Sequence, residues 1–130
     1  MIAHNTSLRV RYKETDQMGV VYYSNYLVWF EVARAELLRS VGHTYRVIEE
    51  DMFLHLMVLE VKCRYRSPAR YDDLLDIACS VIDLGNSSIT FSYKVMRDKV
   101  LLTEAETIHV FTDTKGKPKR MPQILREVLS

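Results

Sequence analysis

Residues 24–42, SNYLVWFEVARAELLRSVG, decide the architecture of this 130-residue chain. Ser24 and Asn25 each offer a side-chain oxygen to the unpaired N–H groups of a first helical turn, so either is a natural N-cap. Gly42 suits the left-handed residue that ends a helix, and Arg39 suits the negative end of its dipole. A helix from Ser24 or Asn25 to Val41 is expected. Its first half, Tyr26-Leu27-Val28-Trp29-Phe30, is apolar on every side, the pattern of a helix enclosed by protein. The second half turns amphipathic with Glu31, Arg34, Glu36 and Arg39. Glu31 and Arg34 are three residues apart, the spacing of an intrahelical ion pair that would fix the helix.

Everything around this segment reads as strand or turn, apart from two short helical stretches, Tyr45 to Asp51 and Pro122 to Leu129. Before it, Ser7 to Lys13 alternates Leu8, Val10 and Tyr12 with Arg9, Arg11 and Lys13. After it, from Leu54 onward, the period changes to two. Leu59, Val61, Cys63 and Tyr65 alternate with Glu60, Lys62, Arg64 and Arg66; Leu75 to Val81, Ile89 to Val95 and Leu101 to Thr112 follow. Turns are marked at 67–73, 84–87 and 97–99. The expected order is strand, buried helix, then four antiparallel strands in a meander. A sheet with one face to cover and a single long helix to cover it implies an α+β hotdog fold, a curved antiparallel sheet wrapped around a central helix. One such unit leaves a strand edge exposed, which favours a homodimer or homotetramer.

Composition narrows the function classes. The length suits one domain, residues 1–130. A net charge of +1 gives no bulk drive toward nucleic acid or an acidic membrane. No run of about 20 apolar residues is present, so no membrane-spanning helix is expected. The first residues lack the apolar core of a signal peptide, and a cytoplasmic location is expected. Cys63 and Cys79 fall on the apolar phase of strands and read as reduced core thiols. The histidines His43, His55 and His109 share no metal spacing, so neither a metal nor another cofactor is implied.

Chemistry concentrates just ahead of the helix, in Tyr12 to Glu31, YKETDQMGVVYYSNYLVWFE. Asp16 is the last acid before an uncharged stretch from Gln17 to Phe30. A lone carboxylate at the mouth of an apolar segment can be held dry and then serve as base or nucleophile, or it can be an ordinary turn residue.

The stretch Arg11 to Leu37 resembles the signature of the 4-hydroxybenzoyl-CoA thioesterase-type hotdog family, which includes small acyl-CoA thioesterases encoded with the Tol–Pal envelope system. The matching residues are Tyr12, Glu14-Thr15-Asp16, Gly19-Val20-Val21-Tyr22, Asn25-Tyr26, and Glu31 with Arg34. A second match, Ser67 to Leu75, resembles the family's Pro-Ala-x-Tyr-Asp-Asp-Leu loop. The resemblance implies hydrolysis of acyl-CoA thioesters with Asp16 as catalytic carboxylate, as nucleophile or general base. It also implies that the main-chain amide of Tyr23 polarises the thioester carbonyl. Many Tol–Pal-type members carry His where this chain has Tyr23, a departure that counts against a His-assisted base. Asn25 would order the helix N-terminal amides, and Tyr12 would offer a hydroxyl toward Asp16 or simply pack.

CoA carries phosphates, for which Arg64, Arg66, Arg70 and the run Lys115, Lys117, Lys119, Arg120 are candidate partners. The thioester would come from CoA or from an acyl carrier protein. Two other readings compete. A hotdog hydratase needs an Asp/His pair, and no His lies near Asp16 in sequence. A non-catalytic acyl-CoA-binding module has no need of an acid at that position.

Overall fold

A computed structural model describes residues 1–130. Five strands, β1 (Ala3–Arg9), β2 (His55–Tyr65), β3 (Leu74–Leu84), β4 (Ser88–Arg97) and β5 (Val100–Thr112), form one antiparallel sheet. The long helix α1 (Asn25–Ser40) is joined by short helices α2 (Tyr45–Asp51) and α3 (Gln123–Leu129). This is the expected α+β hotdog arrangement.

The strand order is β1-β3-β4-β5-β2, which corrects the meander of four. Only β3, β4 and β5 follow one another through tight turns. β2 crosses to the far edge and pairs with β5, from His55 opposite Thr112 to Tyr65 opposite Thr103. The break at Ser67 to Asp73 is therefore a crossover, and its backbone is spent elsewhere. Asp73 Oδ2 accepts from Arg70 N–H at 2.9 Å and from the Arg97 guanidinium at 2.9 Å, closing the crossover against β4.

The first strand also differs from the expected Ser7–Lys13. It begins at Ala3 and ends at Arg9, because a 3-10 turn at Tyr12–Glu14 takes over. Glu14 reaches back to accept the Arg11 N–H at 2.7 Å, and that closed turn cannot continue the sheet. Tyr12, assigned by alternation to an apolar face, is 78% exposed as a result.

α1 ends as its sequence dictates. Gly42 has φ of +80°, its N–H donates to the Arg39 carbonyl at 3.0 Å, and His43 N–H donates to the Leu38 carbonyl at 3.1 Å. These are the paired bonds of a Schellman motif, which satisfies carbonyls the helix leaves open. The helix start is not capped as expected, since neither Ser24 nor Asn25 accepts a first-turn N–H through its side chain. Burial corrects a second expectation. Tyr26, Trp29, Phe30, Ala33, Leu37 and Leu38 are buried, whereas Leu27 and Val28 remain 41% and 49% exposed. One five-stranded sheet covers one side of the helix, and within one chain the other side has no cover.

The core lies between α1 and the inner sheet face. Phe30 stacks on Tyr93 at 4.5 Å, and Leu75, Ile77, Cys79, Phe91, Val95 and Phe111 fill the layer around them. The expected Glu31–Arg34 ion pair does not form. Arg34 is nearly buried and donates instead to the hydroxyls of Tyr45 at 3.2 Å and Tyr93 at 3.1 Å. It pins the helix to β4, a structural role reached through different partners. No helix is long and apolar enough to cross a membrane.

Candidate active site

The site is built where the loop after β1 meets the N-terminus of α1 and the end of β2. A cleft of about 390 Å³ opens there, lined by Asp16, Met18, Tyr22, Tyr23, Tyr26, Tyr65 and Arg66 among others. The loop is stitched into place by isolated pairings of Thr15 with Val21 and of Val20 with Arg70. Val21 N–H also donates to the Ala69 carbonyl at 2.8 Å, so the crossover segment supports the loop that carries Asp16.

Asp16 is half-buried rather than dry, which corrects the sequence expectation. Its Oδ1 accepts the N–H of Met18 at 2.9 Å and, more distantly, that of Val20 at 3.4 Å. Gly19, at φ +80°, lets the chain double back so that Asp16 N–H donates to the Val20 carbonyl at 2.9 Å. The tight loop holds the half-buried carboxylate among the residues that line the cleft. Oδ2 takes no hydrogen bond from the chain and remains free to act.

The dry acid in this region is Glu14, 2% exposed. Burial alone would raise its pKa. The Arg11 N–H, the Trp29 indole at 2.7 Å and the Arg11 guanidinium at 3.3 Å outweigh that and hold it below the usual carboxylate range.

Tyr23 and Ser24 form the turn leading into α1. The Tyr22 N–H donates to the Glu14 carbonyl at 2.9 Å and the Asn25 N–H to the Tyr22 carbonyl at 3.0 Å, while the Tyr23 N–H has no acceptor in the chain. An unpaired amide at a helix N-terminus carries partial positive charge and is a ready donor to an oxyanion. Asn25 braces this turn as a donor and not as the expected cap: its Nδ2 bonds the Glu14 carbonyl at 2.9 Å and the Tyr22 carbonyl at 3.2 Å.

The remaining candidates scatter. Tyr12 packs its ring on Tyr71, centroids 5.5 Å apart, and is not part of the cleft wall. Arg70 meets the loop through its backbone, and its side chain is outside the cleft lining. Arg66, which does line the cleft, pairs with Glu104 at 2.5 Å. Lys115 and Lys117 belong to a turn closed on Asp113, whose Oδ1 accepts both of their N–H groups at 2.9 Å.

Sequence reasoning missed Tyr65 as a site residue. It reads as one more inner-phase position of β2, yet its hydroxyl donates to the Tyr23 carbonyl at 3.1 Å. Burial, with the Cys63 thiol beside it, pushes the phenol pKa up from its ordinary value. The role of Glu14 was equally hidden. Only its partnership with the indole of Trp29, fifteen positions on, distinguishes it from a solvated acid, and that partnership is tertiary.

Comparison with known proteins identifies the family and the fold. The acyl-CoA thioesterase YbgC of Haemophilus influenzae is 36% identical, over 86% of this chain and 82% of its own. A crystal structure of an Aquifex aeolicus protein superposes with a TM-score of 0.93 at 35% identity, covering 98% of this chain and 99% of that one. A 4-hydroxybenzoyl-CoA thioesterase structure shares the fold, with a TM-score of 0.92 at 20% identity over 98% of this chain and 99% of the other. The family description "thioesterase-like superfamily" matches residues 10–129, and the chain belongs to that superfamily.

Proposed function

We propose that this protein hydrolyses an acyl thioester of CoA, or of the equivalent phosphopantetheine arm of an acyl carrier protein, to a free acid and a thiol. One observation carries the reading. Asp16, with one oxygen unengaged, and Tyr23, with an unpartnered main-chain N–H, line the same tyrosine-walled cleft. The activity of the Haemophilus relative agrees with it.

In this reading the thioester carbonyl oxygen takes the Tyr23 N–H, and negative charge develops toward the positive end of α1. Asp16 then acts in one of two ways. It attacks the carbonyl carbon, expelling the thiolate and leaving a mixed anhydride that water cleaves, or it removes a proton from the attacking water. Both routes return Asp16 as a carboxylate, and the thiolate takes up a proton. Arg66, which lines the cleft, is the cation best placed for a CoA phosphate. Arg70, the earlier candidate for substrate contact, supports the loop by its backbone pairing with Val20. No histidine lines the cleft, which leaves a hydratase without its second group.

The test is thiol release from a panel of acyl-CoAs by the wild-type chain and by Asp16→Asn. The expected result is hydrolysis by the wild type and a fall of at least ~10²-fold in the variant, the low end of what a positioned base contributes. The amide is isosteric, so fold and ester binding should persist. Near-normal turnover by Asp16→Asn with binding intact would place the chemistry elsewhere.

A further inference from the structure

We infer that Glu14 is a positioning residue for thioester cleavage: its carboxylate, bonded to the Trp29 indole, sets the Tyr23 amide and the Asp16 carboxylate in register with one another. This inference rests on the proposed function and adds a residue that does not touch substrate.

Glu14 stands at a crossing of constraints. Its side chain is closed on three N–H groups. Oε1 accepts from Arg11 N–H at 2.7 Å; Oε2 accepts from the Trp29 indole at 2.7 Å and the Arg11 guanidinium at 3.3 Å. Its main-chain carbonyl accepts from Tyr22 N–H at 2.9 Å and Asn25 Nδ2 at 2.9 Å. The Tyr22 carbonyl belongs to the same peptide group as the Tyr23 N–H. Asn25 grips that carbonyl twice, through its main-chain N–H at 3.0 Å and its side chain at 3.2 Å. Glu14 thus fixes the oxyanion donor through its backbone, and Asp16 follows two residues later in the same tight loop. The carboxylate–indole bond ties the loop to the buried face of α1, where Trp29 is 2% exposed.

A turn of this kind needs no dry carboxylate, since a solvated acid would close it as well. Taking a charge out of water is costly unless its lone pairs are satisfied, as here. The arrangement makes sense as preorganisation, in which a displacement of about 1 Å between base and donor costs up to ~10² in rate. The bond is also directly observable, because Trp29 is the only tryptophan in the chain and gives a single indole N–H resonance.

The experiment compares wild type, Glu14→Gln, Trp29→Phe and the double variant, all as the whole chain, by steady-state acyl-CoA hydrolysis and by the indole ¹H–¹⁵N signal. Glu14→Gln should lower kcat at least ~10-fold with KM within about 2-fold, and should shift the indole signal as a charge-assisted bond becomes a neutral one. Trp29→Phe, which keeps an aromatic side chain and removes the donor, should lower kcat similarly. The double variant should be no worse than the worse single one, the mark of two residues acting as one link. If Glu14→Gln does not fold, Trp29→Phe alone decides. Three results would overturn the inference: wild-type kcat in the folded variant, a rise in KM at constant kcat, or losses that multiply in the double variant. Loss of hydrolysis in Asp16→Asn but not in Glu14→Gln would leave the thioesterase reading standing and remove only the positioning role. A wild-type chain inactive on every acyl-CoA and acyl carrier protein thioester would remove both.

Discussion

At the scale of single residues, the buried polar groups set the acid limit of the fold. His109 has no exposed surface, its Nε2 lies 2.8 Å from Thr107 Oγ1, and its Nδ1 is unpartnered. The Phe91 ring meets it edge-on, and the nearby Arg34 cation is the charge that acts on it. Burial first, and then Arg34, push its pKa down to about 3 from 6.5. The folded state therefore binds fewer protons than the unfolded state below pH 6.5. The stability from keeping His109 neutral is fully present above 6.5 and is lost as pH falls toward 3. Between pH 6.5 and 5 the loss should be about 2 kcal/mol, at 1.36 kcal/mol per pH unit. Urea unfolding at the two pH values checks this, and His109→Gln should flatten the dependence. An unchanged slope in that variant would assign the acid sensitivity to other groups.

At the scale of elements, α1 owes its ends to different physics. The C-terminal end is local: Gly42 must take φ of +80°, and no heavy atom lies within 4 Å of where a Cβ would stand. The cost of Gly42→Ala is thus conformational, about 1 kcal/mol, with no clash to add. A larger loss in chemical denaturation would mean that the side chain meets something that the structure leaves open. The N-terminal end is tertiary. Its turn is ordered by Asn25 donating to a carbonyl eleven residues earlier in the chain. Asn25→Ala should cost activity more than stability, because the first helical turn remains while the peptide carrying the Tyr23 N–H loses a constraint. Melting temperature measured beside kcat distinguishes these effects.

At the scale of the whole molecule, the uncovered surfaces are contiguous. β2 is an edge strand of eleven residues, with Met57, Val58, Leu59 and Val61 each at least 41% exposed. Beside it, the outer side of α1 shows Leu27, Val28 and Val32. A free edge next to an apolar helix face is a template for pairing, and a second copy of the chain offers both complements at once. Light scattering at micromolar concentration should give at least twice the 15.2 kDa chain mass. Val28→Glu should reduce the assembly toward one chain. A wild-type monomer would refute the assembly.

The sequence by itself determined the kinds of element and most of their places, and it marked the loop before the long helix as the candidate site. The period of two across 59–66, 75–81, 89–95 and 101–112, the single long helix, and its terminating glycine are local signals, and local interactions enforce them. The loop carrying Asp16 was legible because a lone acid, a glycine and an uncharged run are adjacent in the chain. What only the tertiary structure decided are pairings between distant segments. β2 crosses to pair with β5 at one edge of the open sheet, a choice that periodicity cannot make. Alternation fixes which face a residue occupies, and says nothing about which strand lies beside it. Arg34 turned from Glu31 to Tyr93 because the helix sits against β4. Glu14, not Asp16, became the dry carboxylate because the indole that satisfies it comes from the buried side of α1. Burial and hydrogen-bond satisfaction are properties of the packed chain, so the residue that loses its water is settled only when distant segments meet.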